Sequence, residues 1–284
     1  MKAPDFDYHR PDTLAEALDL LARHGEDAAI IAGGQSLLAL LNFRLAAPER
    51  LIDIGRLTDL KSLSEDHGHI EIGGLLRHCD LQASPLIARE LPLLHKAIGH
   101  IAHPAVRHRG TIGGSLAMAD PAAELGACCL ALDGEFLLVS LQDRRWVAAA
   151  DFFLGVYQTA LRADEILAAV RLPKRRPGSI GIFNEVARRR GDFAMAGLAL
   201  AAQTGDGGLS DVRLALLGVA DRPILAGKTM AFLEGRPVNE ARIDEAATLI
   251  AGEIDPPDDP AYPPAYRRHL AGVLLRRALL ELCP

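Results

Sequence analysis

Two short stretches, residues 32–36 (AGGQS) and 111–115 (TIGGS), each set two adjacent glycines and a serine between apolar segments. Glycine tolerates φ > 0 and leaves room for another group to approach the backbone, so several N–H donors can converge on one anion such as a diphosphate. A fold that uses both must carry them on elements able to bring them together. Each stretch alone also reads as a tight turn, which uses the same residues. Neither has the Walker or G-x-G-x-x-G spacing, which argues against a P-loop or a Rossmann dinucleotide site. Two carboxylates, Asp120 and Glu124, follow the second stretch just ahead of an apolar run.

The elements around these stretches follow from hydrophobic periodicity. Pro11, Asp12 and Thr13 open a helix with Leu14, Ala17, Leu18 and Leu21 on one face, and His24-Gly25 closes it. A short buried strand (28–32), the GGQS turn, a short helix (LLALLNF) and a second strand (51–54) complete a small α/β unit. A hairpin at SEDHGH leads into a strand at 69–74, and residues 78–102 are mostly helical with breaks at Pro85 and Pro92. PAAELGACCLAL suits a buried helix started by Pro121, with Asp120 placed to cap it; EFLLVS and RRWVAA suit a β-hairpin, and residues 165–173 a further strand. The cluster PKRRPGS (173–179) is the best boundary. Beyond it come three strand-like runs (GIFNEVA, FAMAGLALAA, LSDVRLALLGVA) and helices from about Pro223, from about Asn239, and from Pro264 to Leu282. In the last helix Ala271, Leu274, Leu275, Ala278, Leu279 and Leu282 form one apolar stripe.

Composition narrows the function. With 49% hydrophobic and 24% charged residues the chain is globular, and sparse aromatics (5%) leave aliphatic packing dominant. A net charge of −6 argues against a nucleic-acid or anionic-membrane partner. The basic clusters at 174–176 and 188–190 read as solvated surface or as docking points for an acidic partner or a phosphate. No apolar stretch reaches the roughly 20 residues of a membrane helix and the N-terminus lacks a signal core, so a cytoplasmic protein is expected. Cys79, Cys128, Cys129 and Cys283 form no C-x-x-C pair, which excludes an iron–sulfur or structural zinc site built from this chain alone. Histidines 95, 100, 103 and 108 fit no metal-ligand spacing, and Ser36 and Ser115 lack the nucleophile elbow.

The segments AGGQSLLALLNFRLAAPERLIDI (32–54), IGGLLRHCDL (72–81), IAHPAVRHRGTIGGSLAMADPAAEL (101–125), DEILAAVRLP (164–173) and EVARRRGDFAMAG (185–197), in this order, resemble the FAD-binding medium subunit of the molybdenum hydroxylases, the group of xanthine dehydrogenase and carbon monoxide dehydrogenase. The resemblance covers nearly the whole chain. It implies an α+β protein: a two-subdomain FAD-binding domain of the PCMH (vanillyl-alcohol oxidase-like) type over 1–175, with subdomains of about 1–55 and 56–175, and a smaller C-terminal α/β domain over 176–284 with a three-stranded sheet and helices. It further implies that Ala32, Gly33, Gly34, Gln35 and Ser36, with Thr111, Gly113, Gly114 and Ser115, wrap the FAD diphosphate, and that the flanking Ile31 and Leu37 also bind the cofactor. Glu124 and Asp120 would accept hydrogen bonds from the ribityl chain, Ile101 would pack on one side of the isoalloxazine ring and Leu167 on the other, and Ala102 would be a further cofactor-binding residue. Core packing remains an alternative for Leu167, capping for Asp120, and a structural role at the domain junction for Asp192.

Two departures from the family pattern stand out. Asn184 occupies the place of a lysine found near the NAD site of xanthine dehydrogenases, and Ser115 replaces a common asparagine. The implied function is an oxidoreductase subunit that carries FAD, with no catalytic residue or metal ligand of its own. Electrons would come from iron–sulfur clusters on a small [2Fe-2S] partner, fed by a molybdenum cofactor on a large partner, and leave to an external acceptor; the complex would be a dimer of heterotrimers. The rival readings are a stand-alone FAD-dependent oxidase and a non-catalytic nucleotide-binding protein.

Overall fold

The computed structural model describes residues 2–205 and 207–283. The chain begins with β1 (Asp7–His9), α1 (Leu14–His24), β2 (Ala28–Ile31), α2 (Leu37–Asn42) and β3 (Arg50–Asp53). The Thr13 hydroxyl accepts the Glu16 amide at 3.2 Å and Gly25 ends α1 at φ +50°, as the sequence leads one to expect. Ala17, Leu18 and Leu21 are buried. The three strands form a parallel sheet in the order β1-β3-β2. β2 lies at its edge and is half-buried along its length, rather than buried as predicted, because only one neighbour covers it. Its carboxyl end runs directly into Gly33.

Next come β4 (Leu63–Glu65), β5 (His69–Gly73), α3 (His78–Ala83), α4 (Pro85–Glu90), α5 (Pro92–Ile98), α6 (Pro104–Arg107), α7 (Ile112–Met118), α8 (Glu124–Ala131), β6 (Glu135–Val139), β7 (Arg144–Ala148), α9 (Ala149–Phe152), β8 (Phe153–Gly155), β9 (Gln158–Thr159) and β10 (Ile166–Pro173). Five of these strands build an antiparallel sheet in the order β4-β5-β10-β6-β7, with a register shift in β10 between Leu167 and Ala169. Prolines 85, 92 and 104 each sit in the first turn of a helix, where the missing N–H costs nothing. Two expectations change. TIGGS is not a free loop: Thr111 caps α7 and both glycines lie in its first turn. The helix expected from Pro121 begins at Glu124, behind the cap residue Ala123. Asp120 does not cap it. Its Oδ1 accepts the Ala122 amide at 2.9 Å, closing a turn around Pro121 that delays the helix.

The remainder holds β11 (Ser179–Ala187), β12 (Ala194–Gly205), β13 (Gly208–Leu217), β14 (Ile224–Leu225), α10 (Gly227–Leu233), α11 (Glu240–Glu253) and α12 (Pro264–Leu280). The three strand-like runs of the sequence are strands, paired antiparallel, and the short β14 makes the expected three-stranded sheet four-stranded. That pairing holds Ile224 and Leu225 extended, so the helix expected from Pro223 starts only at Gly227. Alternation along β12 gives the sheet two working faces. Ala196, Leu198, Leu200 and Ala202 share a core with Leu274, Leu275, Ala278 and Leu279 of α12, while Ala199 joins Ala215, Leu217, Leu93 and Leu125 in the core of the preceding half. Gly181 permits this docking, since a Cβ there would lie 2.9 Å from that of Leu93.

Buried Arg267 of α12 ties these layers together. It donates from Nη1 to the carbonyls of Met195 (3.0 Å) and Gly218, and from Nη2 to Asp259 at 2.9 Å. Gly218, at φ +73°, in turn donates its amide to the Pro121 carbonyl at 2.8 Å, ahead of α8. Arg267→Met leaves two buried carbonyls unpaired, and thermal unfolding should register a fall in Tm on the order of 5–10 °C.

Candidate functional site

The two glycine stretches meet. Gly33 is buried at the carboxyl end of β2, and a Cβ on it would fall inside contact of the Arg109 carbonyl, 2.8 Å from the carbonyl carbon. Gly34 adopts φ +73°, a region open to glycine and strained for most other residues. A Cβ on Gly114 would come within 3.8 Å of that of Ala32, so Ala32 and the start of α7 face each other. A third glycine pair completes the contact. Gly74 lies so close to the Leu167 carbonyl and to Gly113 that neither glycine could carry a side chain, and the Gly74 amide donates to Ala168 at 2.7 Å. The register shift in β10 therefore sits directly against the glycines of α7.

The donors differ between the two stretches. Among the described residues, the amides of Gly33, Gly34, Gln35 and Ser36 have no acceptor. The opening amides of α7 are already engaged: Ile112 with Leu76, Gly113 with Gly74, Gly114 with the Thr111 hydroxyl at 3.1 Å, and Ser115 with the Thr111 carbonyl. Amides without an acceptor are thus concentrated at 33–36, and the second stretch supplies a tight backbone together with the hydroxyl of Ser115. Four consecutive amides without acceptors, two of them on glycines, are the donor chemistry that a diphosphate group accepts. Beneath this site lies His78, which burial pushes down to about 4, partly offset by a hydrogen bond to the Thr111 backbone. It stays neutral while packing against Gly110.

α7 connects this cradle to a second group of residues. Its seven residues rise about 10 Å, ending at Ala119 in a left-handed conformation (φ +50°), and Asp120 and Glu124 follow. Glu124 is 8% exposed at the start of α8. Burial foremost, then the charges of Glu185 and Asp120, push its carboxyl up to about 7 against the opposing pull of its own amide and of His100. Tyr157 donates to Asp120 at 3.3 Å. Ile101 and Ala102 form a turn held by Arg107, whose Nη1 donates to both carbonyls at 2.7 and 2.9 Å. Ala102 sits at φ +42°, and Gly191 of the second domain packs on its carbonyl. Asp192, beside that glycine, pairs with Arg189 at 3.4 Å. Asn184 donates to Glu281 at the end of α12.

The residues singled out from the sequence thus fall into two groups joined by α7. Around the cradle stand Ile31 to Leu37, Thr111, Gly113, Gly114, Ser115 and, through Gly74, Leu167; at the far end stand Asp120, Glu124, Ile101 and Ala102. Sequence reasoning missed three contributors. Gly74 carried a signal, since IGG repeats the pattern of the other pairs. Arg109 acts through its carbonyl, which has no side-chain signature. Glu185 pairs with His100 at 3.1 Å across 85 residues of sequence, with nothing local to reveal it. Among the described residues, no three His, Cys, Asp or Glu side chains group as a metal site.

The family described as the FAD binding domain in molybdopterin dehydrogenase matches residues 4–175. The chain belongs to this family. The carbon monoxide dehydrogenase flavoprotein C-terminal domain matches residues 181–282 of the same subunit. The flavoprotein subunit is 38% identical over 281 residues to the nicotine 6-hydroxylase medium subunit of Paenarthrobacter nicotinovorans, covering 99% of this chain and 98% of the relative. It is 35% identical to the carbon monoxide dehydrogenase medium chain of Hydrogenophaga pseudoflava, covering 98% and 97%. The solved carbon monoxide dehydrogenase of that organism, in a form lacking the Mo-pyranopterin moiety, superposes with a TM-score of 0.96 at 36% identity over the whole of both chains. Quinoline 2-oxidoreductase of Pseudomonas putida 86 superposes at 0.94, with 37% identity, over 99% and 98%. FAD is therefore the cofactor of this oxidoreductase subunit, and no helix among the described residues is long and apolar enough to cross a membrane.

Two outcomes follow from this geometry. Gly33→Ala forces the Arg109 backbone away, so stability should fall by roughly 1–3 kcal/mol and retained flavin should drop, whereas Gly68→Ala, with open space around its Cβ, should change neither. The second concerns pH. Because the folded chain keeps Glu124 protonated up to about 7 whereas the unfolded chain releases that proton near 4.5, stability falls as pH rises through this window, by about 3 kcal/mol in all. Glu124→Gln should therefore raise the Tm of the flavin-free chain above pH 7, with the gain vanishing below about pH 4.5, while weakening FAD binding.

Proposed function

We propose that this chain is the FAD-carrying electron-transfer subunit of a cytoplasmic, multi-subunit molybdenum hydroxylase. When bound, FAD supplies the redox chemistry that collects electrons from iron–sulfur clusters on a small partner and passes them to an external acceptor. A large partner carries the molybdenum cofactor and the organic substrate, and the assembly is a dimer of heterotrimers. Residues 1–175 form the FAD-binding domain, with subdomains of about 1–55 and 56–175, and residues 176–284 the C-terminal domain.

The observation that carries this reading is the set of four unpartnered amides at 33–36, set one short helix away from a buried acid. In the proposal these amides bind the phosphates and the Ser115 hydroxyl adds a donor. Glu124 and Asp120 accept hydrogen bonds from the ribityl hydroxyls. Ile101 and Leu167, both nearly buried in one apolar core, exclude water from the ring. The division of labour is supported by the four cysteines, which are all free and include no C-x-x-C pair, so clusters belong on another chain. It is also supported by relatives of nearly equal length whose names range from nicotine to carbon monoxide, since a subunit that handles electrons need not vary with the substrate.

The test is reconstitution. Purified without added cofactor and titrated with FAD or FMN, the chain should take up one FAD in preference to FMN, giving a yellow protein that releases FAD on denaturation. Co-expressed with its large and small partners, the bound flavin should then be reduced on addition of the organic substrate. A folded chain that binds no flavin, alone or in the complex, would contradict the proposal.

A further inference from the structure

The basic run 188–190, read from the sequence as solvated surface or as a docking point for an acidic partner or a phosphate, is set by the fold against a cavity. β11 ends at Ala187, and the turn behind it places Arg189 and Arg190 on a pocket of about 340 Å³. Lys96 of α5 and the following Gly99 and His100 line it too, and Glu185 and Ala187 of β11 complete it. The pocket is thus shared between the parts of the chain that match the two family domains. None of the residues placed in the FAD site lines it. Gly191, at φ +84°, packs on the Ala102 carbonyl, so the two arginines are presented from an anchored turn.

The charges in this pocket do not balance. Glu185 is the one acid in the lining, and its Oε1 is taken by His100 Nδ1 at 3.1 Å. The Phe183 ring meets the same imidazole edge to face at 5.2 Å, which fixes it in place. Against this one acid stand three cations. Lys96 Nζ donates to the Gly181 carbonyl at 3.3 Å, an uncharged partner. Arg189 meets Asp192 at 3.4 Å with its side chain still 76% exposed. Among the described residues the Arg190 side chain has neither a hydrogen-bond nor an ion-pair partner.

In a chain of net charge −6, cations gathered around one concavity mark a place where anions concentrate. Guanidinium groups match the oxygens of phosphate and carboxylate alike, and three cations around one cavity favour a doubly charged oxyanion over a singly charged one. We propose that this pocket binds a phosphate-class dianion, free or as the end of a small phosphate ester, held by Arg190, Arg189 and Lys96. Because Lys96 comes from the first half of the chain and the arginines from the second, the bound anion ties the two halves together, and its binding is read as stability.

The test is thermal unfolding of the FAD-loaded chain at about pH 8, where phosphate is a dianion. Loading with FAD keeps phosphate away from the amides at 33–36 of the proposed cofactor site. Sodium phosphate is compared with sodium chloride at the same ionic strength, so that general screening is equal in both series. Tm should climb with phosphate once its concentration passes Kd, and not with chloride. Read within each variant, Arg190→Gln and Lys96→Gln should each raise the concentration needed by about tenfold, the cost of one charge-assisted hydrogen bond. Arg188→Gln, in the same basic run but outside the lining, should leave it unchanged. Ribose 5-phosphate separates the sources: an onset below that of inorganic phosphate identifies an ester as the occupant, and an equal onset identifies the free anion. A phosphate series that matches chloride, or an Arg188→Gln variant that loses as much as Arg190→Gln, would overturn the proposal and leave 188–190 as solvated charge.

Discussion

The contact between Gly33 and the Arg109 backbone is where three pieces of chain, already joined through shared apolar cores, close on one another. The parallel sheet delivers Gly33, the turn after α6 delivers Arg109 and Gly110, and the antiparallel sheet delivers Gly74, with α7 packed among them. Because close-packed backbone tolerates no added methyl group, the absence of side chains here is a steric requirement before it is a chemical one. The same bareness that lets the pieces close leaves the amides of 33–36 without acceptors in the protein. In the proposed site, packing and binding are two uses of one arrangement.

The second domain is not an appendage to that arrangement. Alternation along β12 sends one row of side chains into its own helices and the next into the preceding half. Arg267 and Gly218 then carry the connection to Pro121, between Asp120 and Glu124. An acid kept protonated by burial destabilises the folded chain at neutral pH. In the proposed FAD site, stability and cofactor binding therefore pull against each other at Glu124, as expected where a functional site overrides local preference.

Much of this was legible in the sequence. The capped helix at Thr13, the hairpins, the last helix from Pro264 and the three long strands of the second domain follow from local signals that tertiary packing did not contradict. The failures have identifiable causes. Gly113 and Gly114 were read as loop because glycine serves positive φ and close packing alike, and only the approach of Gly74 decides between them. Pro121 looked like a helix start, but Asp120 used the Ala122 amide to make a turn first. The glycine pairs stood out by themselves, and the roles proposed for Asp120, Glu124, Ile101 and Leu167 rest on family resemblance. The His100–Glu185 pair was invisible, because 85 residues of chain separate its members.

The most direct measurement is amide hydrogen exchange at residues 33–36 with and without FAD. In the flavin-free chain these four amides lack acceptors and should exchange quickly; with FAD bound they should slow by at least about tenfold, while the amides of 112–115, already paired within the protein, change less. Stoichiometric FAD binding that leaves residues 33–36 exchanging at the flavin-free rate would contradict the account.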